Sequence, residues 1–212
     1  MYHLFLRGPL SNWHGASFTG MLWDGFERQF ENTEQYMMAG KALLFGDVPS
    51  LDAIMHSHSP KEQKALGRLV RHFDKDVWDR HARNLVYVGT SFKFEQDTTS
   101  KLTLLGTEEV LAEANPYDKV WGIALSETDP KAQDSCQWQG TNWLGQVLTQ
   151  LRHDLRTATP EQIEKKRMVL LQSIRDHISA PMAFLTPASD YQPSPKPRHS
   201  CRGIALFHVS IE

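Results

Sequence analysis

The stretch SPKEQKALGRLVRHF, residues 59–73, is the clearest helix signal in the chain and favours a fold built mainly from helices. Ser59 suits the N-cap, Pro60 suits the first helical position, and Glu62 completes a capping box. The apolar residues that follow recur at helical spacing: Leu66, Leu69, Val70 and Phe73. The sequence therefore predicts an amphipathic helix through this stretch.

Similar patterns predict further helices on both sides. Asn32 opens a capping pattern for a helix that reaches about Phe45 and is stopped by Gly46 to Pro49. A helix with one interruption covers about 77–94, another covers Asn142 to Arg156, and a last one runs from Thr159 to about Ile178. Leu10 to Gly25 is expected to be an aromatic loop.

Strands are predicted to be few and short. Tyr2 to Leu6 is typical of a short strand, Val120 to Leu125 of a buried one, and Gly203 to Ile211 of a closing one. Val110 to Ala114 fits either the end of a helix or a strand. Five prolines within 179–200 mark an irregular, extended stretch.

The composition fits one globular domain with an appendage. The chain has 212 residues, 40% of them hydrophobic, which suffices for a core and excludes a mostly disordered chain. Its net charge of −2 excludes a general polyanion binder. It has no apolar run near the roughly 20 residues of a membrane span, no signal-peptide pattern and only two cysteines. These features predict a soluble cytoplasmic protein without a membrane partner.

Tryptophan and histidine are frequent, with 6 Trp and 10 His in the chain. Many aromatic rings suit a site that stacks flat ligands, and a Trp-rich core explains them equally well. The histidines are scattered and form no His-Glu-x-x-His or Cys-x-x-Cys pattern. We therefore expect no metal and no cofactor.

Glu34, Lys41 and Arg68 are the first candidate site residues. Seven residues separate Glu34 from Lys41, so the two share a face of the predicted helix. Arg68 follows Gly67, whose missing side chain allows close helix packing or ligand approach, and its guanidinium suits a phosphate. A solvated helix face and an ordinary surface arginine explain the same residues.

A second candidate group lies before a predicted strand. Asp118 and Trp121 follow a turn at Asn115 to Tyr117, and a loop carboxylate with an aromatic ring is a common way to hold a sugar or a nucleobase. Glu113 adds a further acid nearby. The helix that begins at Asn142 has N–H groups that suit an anion, although the loop before it also fits a simple cap.

The stretch from Lys61 to Lys93 is locally basic. It contains eight Lys or Arg and four Asp or Glu, with aromatic residues between them. Such a pattern suits a phosphate backbone with stacked bases. A pair of amphipathic helices with a basic outer face explains it as well and is slightly favoured.

Eight short motifs follow one another along residues 1–156: Leu10-Ser11-Asn12-Trp13, Thr33-Glu34-Gln35-Tyr36 with Lys41-Ala42, Leu66-Gly67-Arg68, Trp78, Lys93-Phe94, Glu113, Asp118-x-x-Trp121-Gly122, and Asn142-x-Leu144-Gly145 with Arg152. No single motif is decisive, but together and in this order they resemble the NADAR family, also called the YbiA-like proteins. The chain departs from the family pattern at Pro9, where Phe is usual, and at Gly106-Thr107, where the order is reversed.

The resemblance implies an α+β fold, a predominantly helical single domain with a small sheet over residues 1–156. Residues 157–212 lie outside the family pattern, and we expect them to form a helix and strand extension packed on the domain. The resemblance also implies an N-glycosidase that cleaves ribose–base bonds. Family members act on early riboflavin-pathway intermediates or remove ADP-ribose from guanine.

The family's functional residues map onto Glu34, Trp78, Asp118 and Trp121, and its lysine positions onto Lys41 and Lys93. The predicted catalytic residues are therefore Glu34, Asp118, Lys41 and Lys93. The predicted ligand-binding residues are Ser11, Asn12, Trp13, Arg68, Trp78, Trp121, Gly122, Asn142 and Gly145.

Such chemistry agrees with the residue types. Breaking a C1–N bond develops positive charge on the ribose, which a facing carboxylate stabilises, whereas a neutral lysine captures the opened sugar as a Schiff base. The sequence leaves both routes open. We expect an ADP-ribose-containing substrate, either a nucleotide or ADP-ribosylated DNA, because the basic stretch suits a polyphosphate. The alternatives are the riboflavin-pathway intermediates, a module that binds ADP-ribose or NAD without cleaving it, and an interaction protein.

Overall fold

The computed structural model describes residues 1–179 as a predominantly helical α+β fold, which confirms the predicted fold class. The predicted strand at Gly203 to Ile211 lies outside the described residues. No helix within 1–179 is long and apolar enough to span a membrane. The helices are α1 (Thr33–Leu44), α2 (Val48–His56), α3 (Pro60–Arg68), α4 (Lys75–Gln96), α5 (Thr98–Leu105), α6 (Trp143–Thr157) and α7 (Pro160–Ser179). The strands are β1 (Tyr2–Phe5), β2 (Phe18–Met21), β3 (Glu27–Phe30) and β4 (Val110–Glu113).

The packing of α1 on α4 forms the centre of the core. Asn32 caps α1 as predicted, because its side chain accepts a hydrogen bond from the N–H of Gln35 at 2.9 Å. The two helices approach closely at Gly89, where a Cβ atom would lie 2.4 Å from the ring of the fully buried Tyr36. Helix α4 therefore runs through Gly89 without the predicted interruption, and the glycine serves helix packing.

Helix α3 packs on α1 through another glycine. A Cβ atom at Gly67 would lie 1.9 Å from the sulfur of Met38, so close helix packing accounts for the glycine. The helix ends at Arg68, five residues earlier than the apolar spacing up to Phe73 predicts. The chain turns instead at His72, whose φ of 58° is left-handed, before α4 begins.

Helices α2 and α5 are not predicted by the patterns described above. Each begins at an aspartate whose side chain accepts a hydrogen bond from a backbone N–H: Asp47 from Ser50 and Asp97 from Ser100. The residues that end α1 therefore also begin α2. A cap and a breaker share the same residue types, and apolar spacing alone does not separate them.

Two short sheets complete the fold. Strands β1 and β4 pair in parallel, with Phe5 opposite Glu113, and the N–H of Ala114 donates to the carbonyl of Phe5 at 2.7 Å. This pairing brings the end of β4 next to the loop that follows β1. Strands β2 and β3 form an antiparallel pair, so the expected loop at Leu10 to Gly25 contains a strand.

The segment Val120 to Leu125 is buried, but the prediction of a strand there is wrong. Its carbonyl groups accept hydrogen bonds from the loop before α6, including Gly122 from the N–H of Asn142 at 3.0 Å. Ala124 has a φ of 57°, which turns the chain away from an extended path. An apolar run in the sequence indicates that a segment is buried, and this buried segment is irregular rather than a strand.

Helix α7 lies beyond the family motifs but shares the core with α4. Leu171 and Ile174 are buried, and Lys166 Nζ lies 2.8 Å from the Asp154 carboxylate of α6. The same carboxylate accepts a hydrogen bond from the hydroxyl of Tyr87 on α4 at 2.6 Å. Residues 160–179 are thus bound to the domain by both apolar and polar contacts.

We expect Ile174→Ala to lower the free energy of unfolding by about 2–5 kcal/mol, because the substitution opens a cavity where a fully buried side chain packs. Denaturant unfolding of the full chain measures this. Met168→Ala is the matched control on α7, since Met168 is 47% exposed, and it should change stability by about 0.5 kcal/mol or less. Equal small effects in both variants would contradict a shared core.

Candidate functional site

A cleft of about 600 Å³ opens where the loop after β1, the start of α1, helix α3 and the loop after β4 meet. Ligand pockets in proteins commonly have this size. It is lined by residues 6–8, 11–15 and 115–118, and by the side chains of Glu34, Lys64, Glu113 and Trp121. Three carboxyl groups meet in this cleft, which makes it the candidate active site.

Glu34 is placed by the first turn of α1. Its N–H donates to the carbonyl of Asn12 at 3.0 Å, which ties the helix to the loop after β1. The side chain is 2% exposed, and its Oε1 has no hydrogen-bond partner among the described residues. Burial raises the pKa of Glu34 to about 7, against the opposing effects of the Lys64 charge and a hydrogen bond from the Trp13 side chain. Glu34 therefore exchanges its proton near neutral pH.

Glu113 stands at the end of β4, where its backbone is fixed on both sides. Its N–H donates to Asn142 Oδ1 at 3.0 Å, and its carbonyl accepts from the N–H of Ile123 at 2.9 Å. The residue is 8% exposed, and Oε2 has no hydrogen-bond partner in this part of the chain. Burial raises the pKa of Glu113 to about 7, and the negative charge of Asp118 adds to the rise.

Asp118 is the ionised member of the three. Its Oδ1 accepts from the N–H of Trp121 at 2.8 Å and of Val120 at 3.0 Å, and its Oδ2 lies 3.3 Å from Lys64 Nζ. Burial alone would raise the pKa of Asp118, but these donors and the ammonium outweigh it, so the pKa is lowered. The cleft thus holds one carboxylate that stays ionised at neutral pH, beside two carboxyl groups that titrate near pH 7.

Lys64 and two aromatic residues supply the remaining features of the cleft. Lys64 Nζ lies 5.9 Å from the ring centroid of Trp13. Trp13 is 45% exposed and Tyr117 95% exposed, so large parts of both rings are free to take a ligand. Aromatic rings beside a cation suit a flat base attached to a phosphate.

Six of the predicted site residues line the cleft: Ser11, Asn12, Trp13, Glu34, Asp118 and Trp121. The structure brings these together from three separate parts of the sequence. The other seven lie elsewhere: Lys41, Arg68, Trp78, Lys93, Gly122, Asn142 and Gly145.

The two predicted lysines are held away from the cleft by carbonyl groups. Lys93 is 1% exposed, and its Nζ donates to the carbonyls of Pro9 at 2.8 Å and Ser11 at 3.0 Å. Burial lowers the pKa of Lys93 to about 7. Lys41 Nζ donates to the carbonyl of Gly67 at 2.8 Å. Both lysines therefore support the backbone around the site.

Arg68 and Trp78 also lie outside the cleft. Arg68 is exposed on the surface at the end of α3, and its charge acts on Glu34 from there. Trp78 is 8% exposed and belongs to the hydrophobic core, with Lys41 Nζ 5.6 Å from its ring centroid.

Asn142, Gly122 and Gly145 act through the backbone. Asn142 has a φ of 54°, and its Nδ2 donates to the carbonyl of Leu111 at 2.9 Å. A Cβ atom at Gly145 would lie 2.2 Å from that same carbonyl oxygen, and one at Gly122 would lie 2.9 Å from the carbonyl oxygen of Glu113. These residues fix the position of β4 next to the cleft.

The expected anion site at the start of α6 is not formed. The N–H of Trp143 donates to the carbonyl of Val120 at 3.1 Å, and that of Leu144 to the carbonyl of Trp121 at 3.1 Å. The first amides of the helix are therefore used by the irregular segment before it. The alternative prediction, that the loop serves as a helix cap, accounts better for these contacts.

Sequence reasoning singled out neither Lys64 nor Tyr117, and it gave Glu113 as a nearby acid and a family motif but not as a site residue. Glu113 carries a usable signal, since it is a carboxylate that ends the short apolar run from Val110. Lys64 carries none, because it is one of eight basic residues in its stretch. Within residues 1–179 no three His, Cys, Asp or Glu side chains are grouped as metal ligands.

Comparison with known proteins gives a consistent set of relatives. Residues 5–156 match the NADAR domain. The chain is 35% identical over 159 residues to Protein irg-1 of Caenorhabditis elegans, which covers 71% of this chain and 75% of that protein. It is 37% identical over 145 residues to N-glycosidase R617 of Acanthamoeba polyphaga mimivirus, which covers 68% of this chain and 85% of the viral protein.

The NMR structure of the E. coli protein YbiA has a similar fold. Its TM-score is 0.58 at 24% identity, and the match covers 77% of this chain and 88% of YbiA. At this identity the likeness concerns the fold alone. It agrees with the predicted YbiA-like architecture.

We expect Glu34→Gln to stabilise the fold more at pH 8 than at pH 4.5. The pKa of Glu34 is raised from an ordinary value of 4.5 to about 7. Its contribution to the free energy of unfolding is therefore fully present below pH 4.5 and is lost as the pH rises through 7. The stability difference between variant and wild type should shift by about 3 kcal/mol between the two pH values. Denaturant unfolding at both pH values measures it, with the exposed Asp52→Asn as control. A difference that does not change with pH would contradict the burial effect.

Proposed function

The chain belongs to the NADAR family, as its motifs predict, and on this premise we propose that it is an N-glycosidase that hydrolyses a ribose–base bond. The observation that carries the proposal is that one cleft holds both the ionised Asp118 and Glu34, whose pKa is about 7. Carboxyl groups whose pKa values are pushed apart are typical of acid–base sites. The name of the viral relative, N-glycosidase R617, supports the same reaction class.

Asp118 supplies the negative charge that the reaction needs. When the C1–N bond breaks, its electron pair leaves with the base and positive charge develops on the ribose. Asp118 stays ionised because two backbone N–H groups and Lys64 hold its oxygens. A fixed carboxylate in a partly buried cleft stabilises such charge more strongly than water does.

Glu34 is the base for the attacking water. A general base works best when its pKa lies near the working pH, and burial brings Glu34 to about 7. Its Oε1 has no donor among the described residues and is available to accept a hydrogen bond. The water oxygen adds to C1 of the ribose and its proton passes to Glu34.

Direct hydrolysis is favoured over a Schiff base on either predicted lysine. Lys93 and Lys41 both donate their Nζ hydrogens to backbone carbonyls and do not line the cleft. Lys64 is the lysine that lines it within the described residues, and it pairs with Asp118. We assign Lys64 to binding, as a cation for a phosphate of the substrate.

The proposed substrate is ADP-ribosylated guanine, as a nucleotide or in DNA. The size of the cleft, about 600 Å³, suits a ligand larger than a single ribosylamine. Lys64 inside the cleft and the exposed Arg7 at its edge supply charge for a diphosphate. The exposed rings of Trp13 and Tyr117 supply surfaces for bases.

We expect Glu34→Gln and Asp118→Asn each to lower kcat by about 10² or more, because each removes a charge that acts in the transition state. Steady-state hydrolysis of ADP-ribosylated guanosine measures this. Matched controls are the exposed Glu127→Gln and Asp52→Asn, which should keep wild-type turnover. Near-normal turnover in both site variants would remove the carboxylate mechanism. An ADP-ribosyl adduct trapped on Lys64 by borohydride would replace direct hydrolysis with a covalent route.

The substrate is tested by a panel read by mass spectrometry. We expect release of ADP-ribose from ADP-ribosylated guanosine and from ADP-ribosylated DNA, because the cleft offers cations for the diphosphate. Added salt should weaken binding of the DNA substrate, since phosphate contacts release counterions. Rapid cleavage of a ribosylaminopyrimidine phosphate, with ADP-ribosylated guanine untouched, would contradict the substrate and leave the reaction class standing. Binding of ADP-ribose or NAD without any cleavage would identify a binding module instead.

A further inference from the structure

We propose that Glu113 is a third catalytic group, the general acid that gives a proton to the departing base; this role rests on the N-glycosidase function proposed above. Glu34 and Asp118 account for the attacking water and for the charge on the ribose. Neither provides the proton that a base needs when it leaves with the electron pair of the C1–N bond. Glu113 is the remaining carboxyl group that lines the cleft within the described residues.

The position of Glu113 suits this role. It lies at the last residue of β4, paired in register with Phe5, so that its side chain meets the cleft next to the loop after β1. Its N–H donates to Asn142 Oδ1 at 3.0 Å, and its carbonyl accepts from the N–H of Ile123 at 2.9 Å. These two hydrogen bonds fix the backbone of Glu113. A catalytic acid needs such fixed geometry, because small displacements cost large factors in rate.

The side chain of Glu113 also has an unmet hydrogen-bond requirement. It is 8% exposed, and Oε2 has no partner among residues 1–179. Buried polar atoms are nearly always hydrogen-bonded, so an exception at a cleft is available to bond to water or to a ligand. A protonated carboxyl group has one O–H to donate, and the nitrogen of a leaving base accepts it.

The two glutamates differ in their strongest neighbouring charge. At Glu34 it is the ammonium of Lys64, which favours the ionised form, although the carboxylate of Asp118 acts in the opposite direction. The strongest neighbouring charge at Glu113 is the carboxylate of Asp118, which favours its protonated form, and the charge of Glu34 acts in the same direction. Lys64 and the Asn115 side chain oppose these effects at Glu113 without reversing them.

In the proposed reaction the charge of the pair is placed on Glu34 and the proton on Glu113. The other titratable side chains that line the cleft are Arg7, His14 and Tyr117. With this distribution the step balances. Glu113 gives its proton to the nitrogen as the C1–N bond breaks, water adds to C1, and the water's proton passes to Glu34. Transfer of that proton through solvent returns Glu113 to its starting form, and the products are the free sugar and the protonated base.

This role also explains three motif residues that do not reach the cleft. Asn142 accepts the N–H of Glu113. The backbone at Gly122 lies so close to Glu113 that a Cβ atom there would be 2.9 Å from the Glu113 carbonyl oxygen, so a side chain would not fit. Gly145 allows α6 to lie against the carbonyl of Leu111 in the same strand. All three fix the strand that ends in Glu113, so they are positioning residues for it.

The test is Glu113→Gln in the full chain, with ADP-ribosylated guanosine as substrate. Glutamine keeps the shape but has no acidic proton, and general acid catalysis typically contributes about 10²–10⁴ in rate, so we expect kcat to fall by that factor. In the wild type kcat should fall above pH 7, as Glu113 with its pKa of about 7 loses the proton. The variant should lack this descending limb, whereas Glu34→Gln should keep it.

Controls separate the acid from a structural role. The exposed Glu109→Gln should behave as wild type, and thermal unfolding of Glu113→Gln should show a folded protein at least as stable as wild type at pH 8. Turnover of Glu113→Gln within a few-fold of wild type, or a slow variant that retains the descending limb, would overturn the role of Glu113 alone. Wild-type protein that cleaves no substrate of the panel would overturn the proposed function and this inference together.

Discussion

The buried side chain of Lys93 fastens the loop that lines one side of the cleft. It is 1% exposed, and its hydrogen bonds to the carbonyls of Pro9 and Ser11 fasten the loop after β1 to helix α4. The two carbonyls and the lysine nitrogen would stay buried without partners if these contacts were lost, at a cost of about 1–3 kcal/mol each. The loop in turn supplies Asn12, which holds the first turn of α1 and with it Glu34. One desolvated lysine thus links helix α4, through the loop after β1, to a glutamate on another element that lines the cleft.

The same exclusion of water sets the chemistry of the carboxyl groups. Glu34 and Glu113 are buried with one oxygen each lacking a partner, and burial raises the pKa of both to about 7. Asp118 is also partly buried, yet two N–H groups and Lys64 keep its pKa low. The number of hydrogen-bond donors around each carboxyl group, rather than its residue type, decides whether the group stays ionised or titrates near pH 7.

The sequence predicts α1 well, because its capping residue Asn32 and its apolar spacing agree. For α3 it predicts the start at Pro60, but the Ser59 side chain makes no capping hydrogen bond and the helix ends early, at Arg68. The sequence prediction fails where the same residue type both ends and begins a helix, as at Asp47, and where burial does not mean a strand, as at Val120 to Leu125. For the site, the family motifs find Glu34 and Asp118 but also include Lys41, which the structure holds away from the cleft. The helical spacing places Lys41 on the same face as Glu34. It does not show which end of that face lines a cleft, because other elements form the cleft.

Lys64 shows why contacts across the fold escape sequence reasoning altogether. It lies 54 residues from its partner Asp118 in the sequence, and its helix α3 is held against α1 by close packing at Gly67. The pairing is also the electrostatic link of the site, since the same ammonium favours ionised Glu34 and lowers the pKa of Asp118. The motif contains Gly67 and Arg68, whereas the charge in the cleft comes from Lys64, three positions before the glycine on the same helix. Apart from the exposed Arg68, the motif residues outside the cleft make buried contacts that hold the elements around it, and these contacts bring side chains such as Lys64 together with the motif residues that line the cleft.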